Sequence, residues 1–282
     1  MVEVKSKQTQ WIVTLSLLLV FALILGACQR AQVPETGSDS GEVTFDITDT
    51  AINGPAQASA GIVTIIGRNT SQEPRSLILV RLNPDISMEQ FLETFQENPD
   101  NAIDLVTLLG GRDVAAGETN QYAIDLQEGT HVVIGFPEGE APPLLASFDV
   151  AGEPQGSPPP ADVTVNLFDF AFAIPENINP GSQTWLVENN GEQWHELVIV
   201  QLNPGVTSED IINMMHQEQE PQGPPPWEDV AFFGPISQGE RAWITLDLPA
   251  GEYTALCFLP DFSSGEAHLE KGMIQSFMVQ EQ

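Results

Sequence analysis

The sequence predicts an all-β chain made of two tandem β-sandwiches, each with one short crossover helix. Three observations predict this class: a long internal repeat, short apolar segments separated by turn residues, and one helical segment in each copy of the repeat. Residues 43–89 align without gaps with residues 163–209, and 14 of these 47 positions are identical. A repeat of this length indicates a duplicated domain rather than a solenoid unit.

The second copy contains six short segments rich in Val, Ile, Phe and Thr, which is the pattern of an antiparallel sandwich. The predicted strands are 163–168, 184–187, 196–202, 242–246, 253–258 and 274–280. Residues 208–217 follow Thr207, a residue type that favours helix N-caps, and their pattern is helical. Residues 87–97 of the first copy have the same pattern, so one helix is expected in each copy.

Segments rich in proline and glycine mark the domain boundaries. Residues 152–160 read Gly-Glu-Pro-Gln-Gly-Ser-Pro-Pro-Pro, and we expect this linker to stay outside any sheet. It separates a first domain at 42–151 from a second domain at 161–282. Residues 28–41 are polar and predict a flexible tether. Each domain is expected to fold alone unless the two bury a shared apolar face.

The N-terminal segment predicts export from the cytoplasm. Two lysines precede an apolar run at 11–25, which is shorter than the roughly 20 residues that a membrane-spanning helix needs. The run ends in Leu-Gly-Ala-Cys, and this string resembles the lipobox of bacterial lipoproteins. The resemblance implies a signal peptide at 1–27, a lipid on Cys28, and a membrane anchor on the periplasmic or cell-surface side. The alternative is an ordinary secretory signal followed by an unrelated cysteine.

The charge of the chain limits its partners. It carries 40 acidic and 9 basic side chains, a net charge of −31. Nucleic-acid binding depends on Lys and Arg contacts to phosphate, so this composition argues against it. The charge favours a partner protein with a basic docking surface. The acidic residues are dispersed, however, so a solvated surface without such a partner is the alternative.

Four residues supply soft or imidazole donors in the second copy: His195, Cys257, His268 and Met273. A thiolate, two imidazoles and a thioether are the donors of a blue-copper electron-transfer site. If Cys28 carries a lipid, Cys257 is an unpaired thiol in an exported protein, and metal ligation would explain it. Each residue alone is more often a structural core residue, since Cys and Met are common small or flexible hydrophobic groups. Zinc is disfavoured because a thioether binds it poorly.

The second copy resembles a cupredoxin, the fold of plastocyanin and azurin. Asn189, Asn190 and His195 are similar to the first-ligand segment of plastocyanin, and the turn Pro-Ala-Gly-Glu-Tyr precedes Cys257 as in that family. The last segment is also similar to bacterial cupredoxin-domain proteins that read Cys-Phe-x-Pro, then His, then Gly-Met. The resemblance covers 160–282 directly and 42–150 through the repeat. It implies one type 1 copper with His195, Cys257 and His268 as equatorial ligands and Met273 as the axial ligand.

Two departures from plastocyanin stand near the ligands. Ten residues separate Cys257 from His268, a longer loop that resembles the copper domains of nitrite reductases more closely. Glu196 follows His195 where plastocyanin has Asn, and its carboxylate is expected to change the charge and hydrogen bonding of the site. The first copy has Arg75 and Gly135 at the positions of His195 and Cys257, so we expect no metal there.

The leading functional hypothesis is a membrane-anchored, extracytoplasmic one-electron carrier that is not an enzyme. A multicopper oxidase needs many histidines in His-x-His pairs, whereas this chain has four His and no such pair. Two alternatives from other classes stay open: a lipoprotein that handles copper without carrying electrons, and a metal-free sandwich that serves as a binding or surface module. Thiol catalysis by Cys257 with His268 lacks a third orienting group.

Overall fold

A computed structural model describes residues 41–139, 141–216 and 223–281. The predicted signal peptide at 1–27, Cys28 and nearly all of the tether lie outside these residues. Within them the chain is mostly β, as predicted, and strands make up two packed layers in each copy of the repeat. None of the helices in these ranges is long and apolar enough to span a bilayer.

The first copy contains eight strands in the described residues. They are β1 (Glu42–Ile47), β2 (Ile52–Asn53), β3 (Gln57–Asn69), β4 (Arg75–Leu82), β5 (Val106–Val114), β6 (Thr119–Leu126), β7 (Gly129–Pro137) and β8 (Leu144–Gln155). β3 lies between β1 and β6 in one layer, while β4 lies between β5 and β7 in the other, where β8 pairs with β7. Phe45, Leu79 and Ile124 are among the side chains buried between the layers.

The second copy repeats this arrangement with nine strands among the described residues. They are β9 (Val163–Phe168), β10 (Ala171–Ala173), β11 (Asn177–Ile178), β12 (Gly181–Asn189), β13 (His195–Leu202), β14 (Trp227–Ile236), β15 (Arg241–Leu248), β16 (Gly251–Leu256) and β17 (Ile274–Val279). All six predicted strands are present, with ends that differ by a few residues. The sequence reading missed β10, β11 and β14.

The sandwich is mixed rather than purely antiparallel, which corrects the sequence prediction. β9 runs parallel to β12, and β11 runs parallel to β17. Parallel neighbours need a crossover connection, and here the chain crosses to the other layer at β11 before it returns in β12. In the first copy a single long strand, β3, makes the same crossing, because its first residues pair with β8 and its later ones with β1 and β6.

The predicted helices are present and capped. Helix α1 (Met88–Glu97) begins after Ser87, whose hydroxyl accepts a hydrogen bond from the amide of Gln90. A second short helix, α2 (Pro99–Ala102), was not predicted. Helix α3 (Ser208–Met215) begins after Thr207, which forms a capping box with Asp210. The single cap of α1 and the reciprocal bonds of α3 satisfy amides that a helix N-terminus leaves free, which explains why each of these helices starts where it does.

The predicted linker is wrong at its first residues. Strand β8 continues through Gly152, Pro154 and Gln155, and Gln155 pairs with Gly61 of β3. Proline is tolerated on an edge strand because only one side of that strand must donate hydrogen bonds. The remaining prolines, at 158–160, lie outside the strands as expected.

The two copies are joined edge to edge in both layers. β14 pairs with β5 at Ile236 and Leu109, and three residues of β15 pair with β6. Phe233 of the second copy lies against the ring of Tyr122, with 5.7 Å between ring centroids. Gly110 is required beneath Phe233, since a Cβ there would overlap that ring. The copies therefore bury a shared apolar face. Under this condition we do not expect each domain to fold alone.

Candidate metal centre

The four predicted ligands lie at one end of the second copy and are all fully buried. His195 begins β13, and Cys257 directly follows β16. His268 begins a 3-10 turn, His268–Lys271, and Met273 directly precedes β17. These strand ends bring residues that are 78 positions apart in sequence to one place.

Backbone hydrogen bonds fold the ligand loop back onto Cys257. The amide of Leu269 donates to the carbonyl of Cys257 at 3.0 Å, and the amide of Cys257 donates to the carbonyl of Met273 at 3.2 Å. The amide of Met273 in turn donates to the carbonyl of His268 at 2.9 Å. Helix α3 supports this turn, because its Ile211 packs with Leu269 in a small apolar cluster. The longer loop thus forms an ordered turn beside the thiol.

Three of the four predicted ligands converge on one point. The ligand atoms of His195, Cys257 and His268 all lie within 4.8 Å of one another. The two Nδ1 atoms are 3.1 Å apart, and Cys257 Sγ lies 3.5 Å from His268 Nδ1. Donors bound to one ion at about 2.0 Å for nitrogen and about 2.3 Å for sulfur are separated by roughly 3–4 Å, so these atoms fit a single metal ion.

Met273 is placed beside this group through its backbone. Its side chain is fully buried and belongs to the same apolar core as Cys257. Its axial role stays a prediction. No Asp or Glu among the described residues joins the three donors. The set is therefore soft and nitrogenous, as copper prefers, rather than rich in oxygen.

The ring nitrogens remote from the donor group are also bonded. His195 Nε2 lies 3.0 Å from Asp169 Oδ1, and His268 Nε2 lies 3.3 Å from Gln193 Oε1. Gln193 is itself held by Asp261, whose carboxylate accepts its side-chain amide at 2.8 Å. Hydrogen bonds to the remote nitrogen fix the tautomer and orientation of a ligating imidazole. The sequence reading missed these partners. Their one signal was an aspartate at equivalent positions of both copies.

Glu196 ties the strand of His195 to the residue after Cys257. Its Oε1 accepts the amide of Phe258 at 2.9 Å, and the side chain is buried. Burial raises the pKa of Glu196 to about 7, although the hydrogen bond from the amide of Phe258 opposes this shift. The prediction that this residue alters the charge and hydrogen bonding of the site thus has a structural basis.

In the absence of metal the donors are neutral. Burial, and then the charge of Glu196, raise the pKa of the Cys257 thiol well above its usual value. Burial and the neighbouring His195 lower the pKa of His268 to about 4, and burial also lowers the pKa of His195. Neutral imidazoles offer lone pairs to a metal at neutral pH, and a coordinating thiol is deprotonated by the bound ion.

The first copy has no such group among its described residues. Arg75 occupies the place of His195, and its Nη1 donates to the carbonyl of Gly135 at 3.3 Å. The strand pairings confirm the alignment, since Ile78 pairs with Ile134 as Val198 pairs with Leu256. The fixed charge of Arg75 therefore lies where the imidazole lies in the second copy.

The layered sandwich and the buried His₂Cys group at its end define a cupredoxin-like fold with a type 1 copper site. Solved structures with this likeness include a reduced auracyanin from Roseiflexus castenholzii, at 20% identity and a TM-score of 0.29, covering 42% of this chain and 95% of that one. Auracyanin A from Chloroflexus aurantiacus, a "blue" copper protein, is 17% identical with a TM-score of 0.28, covering 42% and 98%.

A multicopper oxidase aligns across both copies, covering 85% of this chain and 88% of its own at 17% identity and a TM-score of 0.26. At identities and scores this low, the comparisons carry no argument about the site, which is therefore assigned from the positions of its own atoms. No family model matches the chain, and no curated protein matches it.

Proposed function

We propose that this protein is a blue copper protein that carries single electrons outside the cytoplasm. The observation that carries the proposal is the preformed group of His195, Cys257 and His268, which is buried and whose two imidazoles are each hydrogen-bonded through the remote ring nitrogen. Bound copper would supply the one-electron chemistry. The chain's part is to hold the donors at fixed distances, so that little rearrangement accompanies a change of oxidation state.

Rigidity distinguishes this role from copper handling. A handling protein must open its site to pass the metal on, whereas here all three donors have no exposed surface. The hydrogen bonds that the imidazoles donate to Asp169 and Gln193 further restrict both rings. A catalytic metal site keeps an open position for substrate. Burial of the whole group therefore supports a carrier that is not an enzyme.

The proposal extends to location and partners. A lipid on Cys28 would anchor the chain to a bacterial membrane, with residues 28–41 as tether and the two copies as tandem domains. Because the net charge is −31, we propose that the redox partner presents a basic docking surface. The first domain, which lacks the ligands, would widen the acidic surface and brace the copper domain through the shared sheets.

The test is to add Cu(II) to the purified metal-free protein. Strong visible absorption from thiolate-to-copper charge transfer should develop at one copper per chain, and Cys257→Ser should abolish it. His216→Gln is the matched control, because His216 is exposed and its Nδ1 lies 3.1 Å from Glu270 Oε1, outside the donor group. Repeated reduction and reoxidation without copper loss supports the carrier role. Rapid loss of copper to a Cu(I) chelator would favour handling, and colourless, copper-free protein would refute both.

A further inference from the structure

Asp169 directly follows β9 and reaches the donor group through His195. Its Oδ1 lies 3.0 Å from Nε2 of His195, the ring nitrogen that faces away from Cys257 and His268. An ionised carboxylate can only accept hydrogen bonds, so the proton of the neutral imidazole resides on Nε2. Nδ1 is then left with a free lone pair that points at the other two donors.

The carboxylate is itself held in place. The amides of Glu192 and Gln193 donate to the same Oδ1 at 2.9 and 3.0 Å. Together with His195 Nε2, three N–H groups therefore converge on one oxygen of Asp169, an arrangement that favours the ionised carboxylate. Asp169 is therefore a fixed negative charge at the back of one imidazole. The other imidazole faces the neutral amide of Gln193 instead.

Gly191 leaves the space in which this contact forms. A Cβ at Gly191 would overlap Oδ1 of Asp169 and would lie 2.6 Å from Nε2 of His195. The backbone of Gly191 is not in the left-handed region, so glycine is needed here for space rather than for conformation. The structure thus excludes a side chain at the one place where it would separate the carboxylate from the ring.

The first copy separates a structural role from a metal-directed one. Asp49 stands at the equivalent position, and its Oδ1 accepts the amide of Gln72 at 3.0 Å, as Asp169 accepts that of Glu192. Arg75 replaces the imidazole there, and Ser71 replaces Gly191. Holding the turn is common to both copies, whereas the contact with an imidazole belongs to the second.

We infer that Asp169 is a positioning residue of the copper site, which orients His195 and lowers the reduction potential of the bound copper. The inference rests on the proposed function. A negative charge hydrogen-bonded to a ligating imidazole makes that ligand a stronger donor and stabilises Cu(II) relative to Cu(I). The side chain is 30% exposed, so solvent screens part of the effect.

Asp169→Asn tests the charge with little change of shape. The amide oxygen can still accept all three N–H groups, so the fold and the blue colour should persist while the reduction potential rises. Glu192→Gln is the matched control, because it removes an equal charge from an exposed neighbour that does not contact either imidazole. Its shift should be clearly smaller. Equal shifts in the two variants would overturn the inference.

Gly191→Ala tests the contact while keeping the charge. In the metal-free protein, NMR should show a slowly exchanging Nε2 proton for His195 in the wild type and in Asp169→Asn. That signal should be lost in Gly191→Ala, with weaker copper binding. A signal that persists in Gly191→Ala together with unchanged affinity would refute the positioning role. Wild-type protein that forms no blue site would instead refute the proposed function, and the NMR signal would still report whether Asp169 orients His195.

Discussion

The two copies of the repeat keep the same loop at the copper end, although only one of them has the donors. In each, one buried asparagine, Asn69 or Asn189, donates its side-chain amide to two backbone carbonyls and accepts one backbone amide. The partners are Glu73, Val114 and Ser71 for Asn69, and Gln193, Ile236 and Gly191 for Asn189. The loop scaffold therefore does not depend on a metal, and metal binding depends on a few side chains placed on it.

The ligand positions differ in length as well as in residue type. Met273 corresponds to Leu144 by strand register, since each directly precedes the partner of an equivalent residue. The turn that carries His268 has no counterpart, because the first copy passes from β7 to β8 through a much shorter loop. Replacing Arg75 and Gly135 alone would thus not create a second site.

The largest expected effect comes from separating the copies. A fragment of residues 161–282 would expose the edges of β14 and β15 and the ring of Phe233. Unpaired edges and apolar surface favour association, so we expect a marked loss of thermal stability and self-association in analytical ultracentrifugation. A monomeric fragment as stable as the whole chain would contradict this. Any copper colour should appear in this fragment and not in residues 42–152.

The next largest effect on stability is expected when either of the two loop asparagines is replaced. Asn69→Ala and Asn189→Ala each leave buried backbone groups without partners, which should cost about 3 kcal/mol of unfolding free energy. Denaturant titration of the metal-free protein should give similar losses for both. Only Asn189→Ala should also weaken copper binding, because its loop leads into His195. Weakened copper binding in Asn69→Ala would mean that the copies are coupled through their interface.

A pH-dependent effect is expected from His131, which occupies the place of Tyr253. His131 stacks on Phe148 as Tyr253 stacks on Phe277. Burial lowers the pKa of His131 to about 4, below its unfolded value of about 6.5. The unfolded chain then takes up the proton first, so this contribution is present above about pH 6.5 and is lost as the pH falls towards 4, by at most about 3 kcal/mol.

His131→Tyr should therefore reduce the difference in urea midpoint between pH 7 and pH 4.5 in the metal-free protein. Tyr253→His is the reciprocal control and should increase that difference. If His131→Tyr leaves the pH dependence unchanged, other groups account for the acid sensitivity.

The smallest effect on stability is expected at Met273. Met273→Leu copies Leu144 of the first copy and conserves volume, so it should cost less than about 1.5 kcal/mol. Colour should persist while the reduction potential rises, because a weak axial donor is lost; Met273→Gln should shift it downwards, since an amide oxygen favours Cu(II). Cyclic voltammetry provides the measurement. Potentials that do not move in either variant would make the axial assignment wrong.

Much of this architecture follows from local pattern. Alternating apolar residues and turn signals placed six strands of the second copy, and Thr207 marked the start of its helix. Strand β14 was not predicted because Gly234 and Pro235 interrupt a segment in which apolar and polar residues alternate only weakly. The prediction that residues 152–155 lie outside the sheet was wrong because proline is excluded from central strands but not from edge strands.

The sequence by itself determined the repeat, the β class and the three donor residues that the structure brings together, because these depend on periodicity and on residue chemistry. Tertiary structure alone decided that the copies share two sheets, because edge pairing joins residues more than 100 positions apart. It also decided which side chain lies behind each imidazole. Asp169 is 26 residues from His195, and its one signal in the sequence is the aspartate at the equivalent position of the first copy. The parallel pairing of β9 with β12, the strand before His195, brings the two residues together.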